Sequence, residues 1–391
     1  MVKVEKIPHL LKYMGSKREI LCYIDEVVED LHANSPCFCD LFSGTAVVSA
    51  AFLDKYDVIS NDVQQYSSVF ANTYSSNIAE QVDKKFREIV VDKAERLVKE
   101  FYAKYPQFQF DYSGIKGYED LNNVEIRQQR LIKEDFDLGF SLFAKNYSGT
   151  YWSYEQCVWI DSIRAVAEDY KGSVGYYAIL SALIFAMSYS TQSTGHFAQY
   201  RDVSSKNYED ILLYRKKDIL SLFTKKLDEL ILIQNTTPNH SMTVTNLDYL
   251  DCLRIVPENS IVYADPPYSA VHYSRFYHVI ETLVRYDHPH LEYKGRYRDD
   301  RYQSPFDKRK EAANAFKLLF KAVDERKSHL ILSYSDNGLL KYDELLEIGR
   351  QTVGSHYDIS FIEKNYTHSK LGRSEENRLD VNELLFSFRR L

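Results

Sequence analysis

The chain reads as an α/β protein built on a mostly parallel sheet, with a helical insertion in its middle. Three observations lead there. A strand–helix–strand unit spans residues 36–62. From about residue 240, short apolar runs return, each followed by a turn and a helical period. Between them, residues 76–235 carry helical periodicity and few strand signals. An insertion of this length inside an α/β unit reads as a domain. The expected division is therefore 1–75 with 236–391, interrupted by 76–235.

Taken in order, LLKYMGSKREILCYIDEVVEDL (10–31) reads as a turn and an amphipathic helix. PCFCDLF (36–42) is a short buried strand, and SGTAVVSAAFL (43–53) a turn and a helix of small residues. DVISND (57–62) is a second strand ending in an acid. Strand, helix, strand is a parallel crossover unit. In the middle, KGYEDLNN, KNYSGTYWSYEQ and TQSTGHFAQYRDVSSKNYED read as exposed loops between helices. Later strands are expected in SMTVTNLDYL, SIVYADPPY and SHLILSYSDNG. In SRFYHVIETLVRY, Phe276, Val279, Ile280, Leu283 and Val284 share a helical face, so that helix packs in a core. The polar stretch 287–310 reads as a surface insertion. HYDISFIEKNYTHS and VNELLFSFRR read as two strands joined by a polar loop, an antiparallel edge.

Composition bounds the possibilities. The chain has 391 residues, 45% of them apolar, enough for a sizeable core. The apolar segment 176–190 is too short to span a bilayer. MVKVEKIPHL lacks the apolar centre of a signal peptide, so a soluble, cytoplasmic protein without membrane contact is expected. Five cysteines (22, 37, 39, 157 and 252) fit no zinc spacing and read as reduced structural thiols. A net charge of −7 does not suggest a nucleic-acid binder, although a local face can still be basic.

The chemistry gathers at strand ends. In DLFSGT, Asp40 ends a strand and Gly44 permits a tight turn or close ligand approach. Asp62 ends the next strand, at a spacing where an acid can bond ribose hydroxyls. The phosphate-binding G-x-G-x-x-G is missing, so a nucleoside fits better than a dinucleotide. A structural turn with a helix cap accounts for this motif equally well. In KYMGSKR, Lys17 stands at a helix start, where cations are disfavoured, and hints at a carboxylate partner; a solvated lysine is the plainer reading. Asp248 in NLDYLD and Asp265 in ADPPYS would share the rim with Asp40 and Asp62. Four unpaired carboxylates there would be costly, which implies a ligand rich in donors.

DPPY itself suits an amino group on a base. Such a nitrogen is a poor nucleophile because its lone pair is delocalised into the ring. Two acceptors on its two N–H groups draw it towards tetrahedral geometry. The Asp265 carboxylate supplies one. The Pro266 carbonyl, held rigid by Pro266–Pro267, supplies the other. Tyr268 offers a face on which a flipped base can stack.

KYMGSK, DLFSGT, Asp62, NLDY and DPPY stand in the order found in the DNA adenine-N6 methyltransferases of the Dam-like alpha group, class D12. The chain resembles that family over about residues 10–75 and 240–390, where LILSYSDNG and VNELLF are similar to its late strands. The resemblance implies a Rossmann-like methyltransferase sheet with an antiparallel last strand, S-adenosylmethionine as methyl donor, and no metal. Tyr13, Gly15 and Lys17 would lie against the donor, the lysine near its carboxylate. Asp40, Phe42, Gly44 and Thr45 would form the methionine-side turn. Asp62 would hold the ribose, and Asp248 with Tyr249 the adenine ring. Asp265 to Tyr268 would hold the target adenine, with Asp265 also bordering the donor. One departure is Ala46, where a second glycine is common.

Residues 76–235 would be the target recognition domain for double-stranded DNA. Within them His196, Gln199 and Arg201 are candidate base contacts. A loop that caps a helix is an equal reading. Lys12 is a further DNA contact by the same resemblance. YRKKD (214–218) and KGRYRDDR (294–301) are read as solvated charged faces. The expected activity is site-specific methylation of adenine N6 in duplex DNA, with room for a cognate restriction endonuclease as partner. Rivals are methylation of cytosine N4, RNA adenine or a glutamine side chain; a non-catalytic specificity subunit; and a nicotinamide oxidoreductase, which the missing glycines disfavour.

Overall fold

The computed structural model describes residues 7–13, 15–31, 34–193, 196–233, 240–268, 273–335, 338–366 and 381–391. The expectations drawn from residues 1–6, from the 235/236 domain boundary, from Asp336 and Asn337, and from the loop between the last two strands fall outside them. A 3₁₀ turn over Lys17–Ile20 leads into α1 (Leu21–Asp30). β1 (Cys37–Asp40), α2 (Val47–Phe52) and β2 (Asp57–Asn61) make the expected crossover unit, followed by α3 (Gln65–Ser75). The helical stretch holds α4 (Ile78–Gln81), α5 (Phe86–Lys104), α6 (Tyr118–Gln129), α7 (Leu142–Tyr147), α8 (Tyr154–Glu168), α9 (Val174–Ser190), α10 (Tyr208–Arg215) and α11 (Ile219–Leu232). The sheet resumes with β3 (Met242–Thr245), α12 (Tyr249–Ile255), β4 (Ile261–Ala264) and α13 (Ser274–Arg285). A small ribbon, β5 (Leu291–Glu292) with β6 (Tyr297–Arg298), precedes α14 (Ala312–Glu325), β7 (His329–Ser335), α15 (Tyr342–Val353), β8 (Tyr357–Tyr366) and β9 (Val381–Arg390).

The sheet has seven strands in the order β3-β2-β1-β4-β7-β9-β8. The first five are parallel, and β9 runs antiparallel to both β7 and β8. The last two strands thus pair antiparallel at one edge of the sheet, and the last strand is reversed, as expected. It inserts between β7 and β8, and β8 forms the edge. A pattern of apolar residues marks a strand, not its neighbours, so this order was hidden.

Period-2 alternation divides the sheet faces. Cys37, Cys39, Val262, Ala264, Leu330 and Leu332 pack with α12, α14 and α15. Phe38, Val58, Ile261, Tyr263 and Ile331 pack with α1 and α2. Strand order reverses between β1 and β4. At such a switch point the connections diverge and open a crevice beyond the carboxyl ends.

The helical stretch packs as one apolar cluster that also takes in α3 and α13. α9 is apolar on nearly every side because it is covered on nearly every side. Among the described residues, no helix is long and apolar enough to cross a membrane. Ser153 and Gln156 form a capping box that starts α8, each side chain bonding the other's backbone N–H. Side chains also tie this layer to the sheet's helices. Arg164 donates to the carbonyls of Leu283 (2.9 Å) and Val284 (3.2 Å) at the end of α13. Glu281 accepts from Tyr66 N (3.2 Å) at the start of α3.

Three loop expectations need correction. KGYEDLNN is not a loop; α6 starts at Tyr118 and buries Leu121, Glu125 and Gln128. Two polar residues on its inner face disguised the helix, and their partners lie far away in sequence. The turn in KNYSGTYWSYEQ is buried, because Trp152 Nε1 finds the Met187 carbonyl (3.2 Å) and Tyr151 Oη the carbonyls of Phe197 (2.7 Å) and Gly295 (3.0 Å). The 287–310 stretch is only partly surface: Arg298 and Phe306 are buried, and its far end returns to the crevice described next.

Candidate active site

A cavity of about 540 Å³ opens beyond the carboxyl ends of β1, β2 and β4. It brings together Tyr13, Gly15, Lys17, Asp40, Phe42, Gly44, Thr45, Asp62, Asp248, Tyr249 and the whole of Asp265–Tyr268, gathered from four separate parts of the chain. His196 also reaches it, whereas Lys12, Gln199 and Arg201 do not line it.

The first wall is the turn after β1. Gly44 has φ +51°, and a Cβ there would lie 2.6 Å from Tyr13 Oη, so only glycine lets the turn close against that ring. Ala46 takes the same left-handed region, with φ +55°. The backbone has kept a glycine's conformation at a strain of roughly 1–2 kcal/mol. Gly44 N donates to Asp62 (2.9 Å), whose other oxygen accepts from Gln64 N (2.8 Å). Burial nevertheless pushes the Asp62 carboxyl up to about 6.

Asp40 lies deeper. It accepts from Ser49 N (3.0 Å) and Ser49 Oγ (2.6 Å) on α2, and burial raises its pKa to about 7. Asp248 caps α12 by accepting from Leu250 N (3.0 Å) and also accepts from Tyr302 Oη (3.2 Å). This corrects one sequence argument. The rim acids are not bare carboxylates awaiting a ligand, since their own turns already supply donors. A carboxylate has about four acceptor positions, so capacity towards the cavity remains.

The Asp40 shift has a testable consequence. Between the unfolded value of 3.8 and about 7, the folded chain keeps a proton that the unfolded chain has lost. That contribution is present at low pH and is lost as pH rises through 7. Ligand-free Asp40→Asn is expected to gain more unfolding midpoint over wild type at pH 8 than at pH 5, as read by thermal melts. An equal offset at both pH values would contradict this.

The centre of the site is an ion pair. Lys17 Nζ lies 3.1 Å from Asp265 Oδ1, with only 6% and 20% of the two side chains exposed. The carboxylate that Lys17's position called for is therefore Asp265. No periodicity could have matched residues so distant in sequence. Pro266 is buried, while Tyr268 is half-buried and meets Tyr334 edge-on at 5.7 Å. The Tyr268 carbonyl accepts from Leu339 N (3.1 Å), which anchors the chain as it leaves the motif.

Aromatic rings close the remaining sides. Tyr13 stacks on Tyr277 at 4.6 Å and meets Tyr273 at 5.5 Å. Phe42, Tyr249 and Phe306 form a second group, with centroids 5.1–6.1 Å apart. Tyr66, Tyr273, Phe276 and Tyr302 line the cavity and were missed in the sequence. The abundance of tyrosine was the signal, but abundance gives no position. Phe276, taken as core, instead meets His196 at 4.6 Å in the cavity wall. Burial, with Arg275 nearby, lowers the His196 pKa and favours a neutral ring. Gln199 is exposed; Arg201 is bonded to Asp210 (2.5 Å) and lies over Tyr214. Lys12 rests 4.2 Å above the ring of Tyr189.

Comparison with known proteins agrees with this geometry. Residues 13–331 match the family model for D12 class N6 adenine-specific DNA methyltransferase. The modification methylase LlaI of Lactococcus lactis subsp. lactis is 26% identical over 355 residues, covering 87% of this chain and 49% of that protein. The type II methyltransferase M.FokI of Planomicrobium okeanokoites is 26% identical over 354 residues, covering 86% and 46%. The chain thus spans about half the length of these two relatives. Against the type II methyltransferase M.NlaIII of Neisseria lactamica, identity is 23% over 384 residues, with 95% and 96% covered.

Proposed function

Because the chain belongs to the D12 class of N6 adenine-specific DNA methyltransferases, we propose that it transfers a methyl group from S-adenosylmethionine to N6 of an adenine flipped out of duplex DNA. The observation that carries this reading is the Lys17–Asp265 pair beside Pro266–Tyr268, in a cavity at the sheet's switch point. Its volume of about 540 Å³ suits a nucleoside-sized donor and a base together. The acids and the Gly44 turn suit the donor's hydroxyls and amino group.

The donor supplies an electrophilic methyl on a sulfonium; the chain supplies position and charge. Asp265 and the Pro266 carbonyl accept the two N–H bonds of N6 and localise its lone pair. Lys17, 3.1 Å away, aims the Asp265 carboxylate. Tyr268 stacks on the base. The nitrogen becomes cationic as its bond to the methyl forms and the methyl–sulfur bond breaks, the sulfur leaving as a neutral thioether; the nitrogen then loses a proton. An Asp265 oxygen already bonded to that N–H is the nearest acceptor. This is preorganised electrostatics and positioning. We assign residues 76–235 to target recognition, with Lys12, His196, Gln199 and Arg201 as candidate DNA contacts, and the cytoplasm as the place of action. A restriction endonuclease of matching specificity is the natural partner.

Incubating the protein with duplex DNA and isotopically labelled donor, then digesting to nucleosides for mass spectrometry, tests the reading. N6-methyladenosine is expected in its deoxy form. Label on cytosine, on RNA alone or on protein would overturn it. Gly44→Ala provides a second check. With φ positive and Tyr13 Oη in the way, the added methyl should raise the donor Kd at least tenfold by calorimetry. DNA affinity should change little.

A further inference from the structure

We propose that Lys12 and Lys217 together form a seat for a backbone phosphate of bound DNA, at the margin of the active-site cavity; this rests on the DNA reading above. Both ammonium groups meet at Tyr189. Lys12 Nζ lies 4.2 Å above its ring, and Lys217 Nζ donates to its carbonyl at 2.7 Å. Lys217 also rests 3.9 Å over the ring of Tyr214. Both side chains are half-buried.

The surrounding charges do not balance this pair. Asp210 and Glu229, the acids nearest by their influence on Lys217 and Tyr189, are already engaged. Asp210 binds Arg201 (2.5 Å) and Glu229 binds Lys226 (2.6 Å). Among the described residues, Lys12 and Lys217 make no ion pair. Two like charges therefore contact one residue, partly out of water, in a chain whose net charge is −7. Such an arrangement opposes folding and suits an anion that bridges them. Burial lowers both ammonium pKa values, and Lys12 depresses Lys217 further, as expected for a site lacking its counter-charge.

The seat is also rigid. Gln156 Nε2 donates to the carbonyls of Tyr214 (2.9 Å) and Lys217 (2.8 Å), fixing the turn between α10 and α11. Aromatic contacts hold the ammonium groups without neutralising them. Lys12 adjoins Tyr13, which lines the cavity. The 214–218 stretch, a solvated charged face by sequence, instead presents one of its lysines to a specific partner.

The test is the salt dependence of binding to a labelled duplex of mixed sequence, measured for the full chain between about 50 and 200 mM salt. Each phosphate contact removed should lower the exponent of log K against log salt by about 0.9. The double variant should lose about that much, and Lys217→Met and Lys12→Met should each lose part of it. A fourfold rise in salt should then weaken wild type roughly threefold more than the double variant. Lys217→Arg, which keeps the charge, should retain the wild-type exponent. If Lys217→Met weakens binding equally at every salt concentration, its role is structural and the proposal fails. If wild type does not bind duplex DNA at all, the DNA reading itself falls, and this proposal with it.

Discussion

Asp265→Asn is expected to slow methyl transfer at least a hundredfold while the donor still binds. Losing one preorganised electrostatic contact at a reacting centre costs about 10²–10³ in rate. Here the change removes the negative charge and turns an N–H donor towards the N–H groups of the base. It also removes the charge 3.1 Å from Lys17, whose side chain is only 6% exposed. Asp265→Ala should be as inactive and less stable, because it adds a void. Single-turnover transfer from labelled donor, alongside calorimetric donor binding, separates the roles. Transfer near the wild-type rate would end the assignment of Asp265 as the acceptor for N6. Loss of donor binding in step with activity would instead make Asp265 chiefly part of the donor site.

Glu125→Gln is expected to destabilise the protein by about 3–5 kcal/mol, the cost of leaving one member of a buried ion pair without the other. Glu125 and Arg215 have 2% and 0% of their side chains exposed. Arg215 Nε donates to Glu125 (3.0 Å), and its Nη atoms donate to the carbonyls of Thr150 (2.8 Å) and Tyr151 (3.0 Å). The pair thus joins α6, α10 and the buried turn before α8. Since one apolar cluster runs from these helices into α3 and α13, the loss should lower the stability of the whole chain. Denaturant unfolding can test this directly. Both tryptophans, Trp152 and Trp159, lie in the helical stretch, so fluorescence reports on it while far-ultraviolet circular dichroism reports on everything. The two transitions should coincide and shift together in the variant. A fluorescence transition that precedes the dichroism change would show residues 76–235 unfolding as a separate unit.

The parts of the site that were legible in sequence are those whose chemistry is local. Gly44 announces a turn by lacking a side chain, and its φ of +51° agrees. Pro266 and Pro267 end a strand because they have no N–H, and β4 ends at Ala264. The strands were visible as short apolar runs, and Asp40 and Asp265 through their place just at or beyond strand ends. The illegible parts depend on partners. Tyr302 and Phe306 belong to a polar stretch that looks solvated until it returns to Asp248 and Phe42. Glu125 and Gln128 look like one side of an exposed helix until Arg215 and the backbone N–H of Tyr154 meet them.

The sequence by itself therefore determined the α/β class, the acids at the strand ends, and the place of Asp265–Tyr268 just beyond a strand. Backbone freedom, strand periodicity and the donors and acceptors of a short motif are properties of neighbouring residues. Only the tertiary structure decided that β9 lies between β7 and β8, that Lys17 is paired with Asp265, and that Lys12 and Lys217 share Tyr189. Chain-closure entropy grows only slowly with separation, so a charge can be matched with almost any distant partner. Which partner it takes is settled by packing, and packing is a property of the whole fold.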